Sequence, residues 1–221
     1  MKTKTQIIFF CISLLVSGLL LGGYFALVYI PSWYHPAYVD PVDQEGLRDN
    51  FTAITARFNE GMQHQKSFDF SISAQQINSF ISGMEFFDPR LKDIVPSGVQ
   101  DPAIQLENDY LKVGAVVRQD GKKAFASFWI KITPLGEWLV LDDLKVKIGL
   151  YPVPQSMLAR QIETITGNVS QSFPIVKQML EKGQYPNCFR YPNSDYDFRI
   201  THLRAADGVL YVTIEPLARQ K

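Results

Sequence analysis

Cysteine is nearly absent: the 221-residue chain holds two, Cys11 and Cys188. Cys11 lies inside an N-terminal apolar run and Cys188 far beyond it. The two are expected to stay apart and unpaired, so no internal disulfide framework staples the fold. One thiol outside that run cannot build a cysteine-rich zinc site. Histidine is also scarce, and His35, His64 and His202 show no metal-ligand spacing. No glycine-rich phosphate loop, G-x-S-x-G elbow or S-x-x-K box is present. Lys plus Arg and Asp plus Glu balance at 22 each, and the basic residues form no run. That excludes the basic stripe of a nucleic-acid binder, and leaves Lys2 and Lys4 as the only trace of a basic membrane-binding segment. These absences predict a non-enzymatic chain with no cofactor, no metal and no nucleic-acid partner. A hydrolase built from Cys188, His202 and Asp195 or Asp197 has no local signature. On a regular strand Asp197 and His202 face opposite ways, as do Asp142 and Asp143.

What the chain does have is a long apolar run. Residues 7–30 carry no charge. As a helix they reach ~36 Å, enough to cross a bilayer with some tilt. Lys2 and Lys4 precede the run, which by the positive-inside bias puts that end in the cytoplasm. Trp33, Tyr34 and Tyr38 follow it and suit the far membrane interface, while Pro31 and Pro36 stop the helix. The expected layout is a cytoplasmic stub at 1–5, a transmembrane anchor at 6–30, a membrane-proximal linker at 31–42, and one extracytoplasmic (periplasmic) domain at 43–221. Ser17, Gly18, Gly22 and Gly23 would allow another helix to approach the anchor closely.

The remainder reads as α+β: a curved antiparallel sheet, made of a meander and a C-terminal hairpin, packed with two to four helices. Leu47, Phe51, Ile54 and Phe58 recur at helical spacing over 40–65. Phe68, Phe70 and Ile72 alternate along a short strand, and Ser73 with Gln76 forms a capping box for the next helix. The stretches 103–106, 110–118, 122–133 and 138–148 read as strands joined too tightly for crossovers. A helix is expected from about residue 155, with Pro174 starting a continuation towards Leu180. The stretch 185–194 reads as an irregular loop. A last hairpin turns at Asp207-Gly208.

Strict alternation puts Phe125, Trp129 and Lys131 on one face of the 122–133 strand, with Ala124, Ala126, Phe128, Ile130 and Ile132 on the other. Leu139 and Leu141 share the face of Asp143, Lys145 and Lys147. Part of the sheet is then apolar on both sides and needs cover from a second layer, a ligand or a partner. Phe125, Trp129, Leu139 and Leu141 are the candidate ligand-binding residues. Trp33, Tyr34 and Tyr38 are the candidate membrane-interface residues.

The order of features resembles bacterial single-pass membrane proteins of the YpmS type, and more faintly exported lipid-binding domains of the LmeA kind. It is carried by Phe68-Asp-Phe-Ser-Ile-Ser-Ala-Gln-Gln-Ile-Asn-Ser-Phe-Ile81 and Val146-Lys-Ile-Gly-Leu-Tyr-Pro-Val-Pro154, over roughly residues 66–215. The resemblance implies a non-enzymatic, membrane-associated role with lipid as a possible cargo, and supplies no catalytic residue. The partners expected are therefore the membrane, a lipid or other hydrophobic ligand, or a membrane protein of an envelope complex.

Overall fold

Alternation and turn chemistry account for most of the strands. The computed structural model describes residues 2–38, 40, 43–64, 66–89, 95, 98–119, 121–154, 157, 178–179, 181–192 and 196–218, with side chains from residue 15 onward except Gln119. Helix α1 is Lys2–Val28, α2 is Gln44–Gln63 and α3 is Ala74–Phe87. The strands are β1 (Phe68–Ser73), β2 (Val99–Glu107), β3 (Tyr110–Gln119), β4 (Lys122–Leu135) and β5 (Trp138–Ile148). They continue with β6 (Tyr151–Pro152), β7 (Gln184–Pro186), β8 (Phe189–Arg190), β9 (Tyr196–Ala206) and β10 (Val209–Ala218). The helix expected from residue 155 falls almost wholly outside the described residues.

Two expectations about the architecture are corrected. The transmembrane helix is overturned: among the described residues no helix is long and apolar enough to cross a membrane. The last turn of α1 is instead held by the folded body, where the Ala26 carbonyl accepts from the Leu150 amide at 2.9 Å. The single curved sheet is in fact two. The first sheet runs β1-β10-β9-β8; the second runs β2-β3-β4-β5-β6, with β7 also on β5. The C-terminal hairpin joins β1 rather than the meander, because Phe68 to Ser73 pair in register with Ile214 to Val209. Every described strand pairing is antiparallel.

The sheets are locked through their turns. Asn108 and Asp109 have φ of 52° and 62°, and Asp207 and Gly208 have 52° and 76°. Paired positive φ values match the right-handed twist of the flanking strands. The amide of Asp109 donates to the Ala205 carbonyl (2.8 Å), and that of Gly208 to the Leu106 carbonyl (2.9 Å). Each hairpin tip thus bonds to the other sheet, around a core of Leu106, Ala205 and Ala74. The Ser73–Gln76 capping box starts α3 there.

Two buried asparagines complete the joints. The Asn78 amide both donates to and accepts from the Ile104 backbone, at 2.9 and 2.7 Å, so α3 satisfies polar groups along β2. Asn187, 1% exposed, bridges the sheets. Its Nδ2 donates to the Gly136 carbonyl (3.0 Å) and the Ile200 carbonyl (2.7 Å), and its Oδ1 accepts from the Ile200 amide (2.9 Å). Truncation would leave buried backbone groups without partners, at about 1–3 kcal/mol each. Asn187→Ala should therefore lower the unfolding free energy by about 2–4 kcal/mol. Cys188→Ala, at an exposed neighbour, should change it by less than about 0.5 kcal/mol. Urea titrations of the two variants check this, and equal midpoints would remove Asn187 as the joint.

Candidate functional site

The outer face of the second sheet, turned away from the first, gathers the sequence candidates and separates them. On β3 it carries Tyr110, Lys112, Gly114 and Val116, facing Trp129, Ser127 and Phe125 of β4. Lys147 and Lys145 of β5 lie across from Ser127 and Trp129. Leu139 and Leu141 do not join them. The register slips between Lys131 and Ile132, so Asp143 pairs with Lys131 but Leu141 pairs with Ile132. Asp142 is the extra residue of a bulge, which moves Leu139 and Leu141 to the face of Leu144 and Val146. Phe125 and Trp129 thus point away from Leu139 and Leu141.

Phe125 is 1% exposed, and its cover comes from the linker. The Trp33 and Tyr34 rings meet it edge-on, with centroids at 5.9 and 4.8 Å. Gly114 makes room: a Cβ there would lie 2.6 Å from the Phe125 ring and 2.7 Å from Trp33. The Tyr34 hydroxyl donates to the Asp101 carbonyl at 2.5 Å, where Asp101 takes a positive φ of 50°. Burial first, and then the Asp101 charge, raise the Tyr34 pKa. Trp33 and Tyr34, expected at a bilayer interface, are packed on protein, whereas Tyr38 is 85% exposed.

Helix α1 docks beside that cap. The Leu150 amide donates to the Ala26 carbonyl at 2.9 Å, and the Gly149 amide to the Phe125 carbonyl at 2.7 Å. Gly149 has φ +57°, and a Cβ on it would collide with the carbonyl oxygens of Ala26 and Leu27. Of the small residues on α1, Gly23 looks at the Tyr151 hydroxyl, while Gly18 and Gly22 face open space.

Trp129 sits further along the same face between two ammonium groups. Lys112 and Lys147 Nζ lie 4.3 and 4.2 Å from its ring. Lys112 is neutralised by Glu107 at 2.6 Å. Lys145 contacts Asp143 at 2.9 Å, and the Tyr110 hydroxyl donates to Asp143 at 2.6 Å. The hydrogen bonds from Tyr110 and Lys145 hold Asp143 below the usual carboxylate range. Those with Tyr110 and Asp143 push Lys145 up to about 12. Asp143 and Lys145 are open to solvent, so their pair chiefly fixes the orientation of the side chains, whereas Lys112 is buried between Glu107 and the Trp129 ring.

Elsewhere, a cavity of about 530 Å³ opens between α2, β1 and α3, lined by Leu47, Phe51, Ile54, Ile77 and Phe80, with Asn50 and Gln76 at its edge. Phe51 stacks on Phe80 at 5.1 Å. This groove drew no attention in the sequence, where its residues read as helix faces alone. His202 pairs with Thr213, and a bulge between Thr213 and Ile214 puts it on the same side of β9 as Asp197, contrary to strict alternation. Along the strand the two stay roughly 13 Å apart. Asp195 lies outside the described residues, and Cys188 is exposed. Among the described residues no group of His, Cys, Asp and Glu could hold a metal ion.

The Tyr34 contact has a pH signature. A phenol whose folded pKa is raised adds stability fully present below about pH 10, the unfolded value, and lost as pH rises through the folded value. Tyr34→Phe should cost about 1 kcal/mol at neutral pH. It should also abolish an alkaline step in which the 31–38 linker becomes open to protease. Limited proteolysis across the alkaline range checks both, and an identical step in the variant would contradict the assignment.

Comparisons with protein families, with curated proteins and with solved structures give no match. The resemblance of residues 66–215 to YpmS-type and LmeA-like proteins rests on its motifs alone.

Proposed function

We propose that this chain is a non-enzymatic binding module that associates with membranes through α1. The observation that carries the reading is the exposure of large apolar side chains around that helix. Leu20 is 71% and Phe25 66% exposed, and Leu15, Leu19, Leu21 and Tyr24 stand out in the same way. A helix apolar all round has no stable face towards water, and a patch of this kind marks a surface that another apolar phase covers. The docking of Ala26 and Leu27 on Gly149 and Leu150 ties whatever α1 binds to the folded body. In this reading the body stands at the membrane surface, and the groove beside Phe51 and Phe80 is where a hydrophobic ligand is held. Its volume falls within the usual 300–1,000 Å³ of ligand pockets.

Fractionation of cells expressing the full chain tests the reading. The wild type should sediment with membranes without detergent. Burying each of Leu20 and Phe25 is worth about 1.5–3 kcal/mol, so Leu20→Glu with Phe25→Glu should shift the partition at least about tenfold towards the soluble fraction. A wild-type chain found in the soluble fraction would overturn it. Release by competing protein rather than by lipid depletion would favour a protein-interaction subunit instead.

A further inference from the structure

We propose that the α1-proximal end of the second sheet is an electrostatic docking surface for anionic phospholipid headgroups; the proposal rests on α1 being the membrane-binding element. The chain has no net charge and no basic run, yet its cations are sorted in space. Along the outer face far from α1 they are neutralised: Lys112 by Glu107 and Lys145 by Asp143. At the end where α1 docks the balance differs. Arg118, Lys122 and Lys123 crowd the β3–β4 hairpin and are exposed. Lys147 of β5 is not part of this cluster: its ammonium lies further along, 4.2 Å from the Trp129 ring. In the hairpin sequence 118–123, Asp120 is the one acid against three cations, a local excess of positive charge.

The register makes the arrangement costly. Arg118 lies directly across from Lys123, and like charges in that position repel and destabilise the pair. An anion that met both side chains together would relieve that repulsion. Continuity with α1 selects the source of the anion. The hairpin leads into Phe125, which bonds Gly149 and lies beneath the linker, next to the point where Ala26 is held. Headgroups of a bilayer contacted by α1 attract cations that lie within about a Debye length (~8–10 Å) of them. Near an anionic surface each Lys or Arg strengthens binding by about fivefold.

Flotation of the full chain with phosphatidylcholine vesicles, and with vesicles of equal parts phosphatidylcholine and phosphatidylglycerol, tests the proposal. The wild type should bind both and prefer the anionic vesicles, with the preference lost at ~1 M salt. Arg118→Gln/Lys122→Gln/Lys123→Gln should lose about a hundredfold in affinity for the anionic vesicles, keep its affinity for the neutral ones, and melt no lower than the wild type. Arg48→Gln/Lys66→Gln/Lys182→Gln, which removes equal charge elsewhere, should keep the preference. Equal wild-type binding to both vesicles, or an equal loss in both triple variants, overturns the basic end as the headgroup surface while leaving α1 as the membrane element. Binding to neither vesicle overturns both readings, and capture of an acidic protein without any lipid preference overturns this one.

Discussion

One hydrogen bond and the glycine beside it govern how the molecule can present itself: the Leu150 amide on the Ala26 carbonyl, with Gly149 at a positive φ that lets the helix end come close. The end of a helix leaves carbonyls without intrahelical partners, and the strand-to-strand turn after β5 supplies one. The helix and sheet are thereby joined without a flexible tether. The linker then folds back, and Trp33 and Tyr34 bury Phe125. Edge-on aromatic contacts of this kind are each worth about 0.5–1.5 kcal/mol beyond the area they cover. The apolar helix, the aromatic cap and the basic hairpin become neighbours on one side of the molecule as a result.

The opposite side is organised by polar groups in dry places. Hairpin amides and the Asn78 and Asn187 side chains hold two modest sheets together. Such contacts are directional, so they set the angle between layers that apolar packing alone would leave loose. The outer face is thereby left free of structural duty except where the linker lies. Lysines there pair with Glu107 and Asp143 or rest on Trp129 and Tyr110, and at the hairpin end Arg118 lies directly across from Lys123.

Much of the strand pattern was legible because alternation and turn residues are local signals. Trp138–Ile148 emerges with its expected bounds, and Ser73 with Gln76 caps α3 as their spacing predicts. The candidate site was less legible. Bulges at Asp142 and beside Thr201 reverse the facing of every residue beyond them, and no short window announces them. Trp33 and Tyr34 follow an apolar run, which reads as a membrane interface. The Tyr34 hydroxyl bonds 67 residues away, and Phe125 lies further still along the chain, beyond any local pattern. Asn187 looks like an ordinary loop residue until two sheets meet around it. The basic end arises where β3 and β4 meet, with Arg118 across from Lys123, a pairing that shows only once the register is known.

The central claim is that α1 and the sheet move as one body, and amide hydrogen exchange at Leu150 tests it most directly. The account predicts protection of the Gly149 and Leu150 amides close to that of the β4–β5 ladder, and its collapse in Gly149→Ala while β4 and β5 remain protected. Leu150 exchanging in the wild type as fast as an open turn would contradict it.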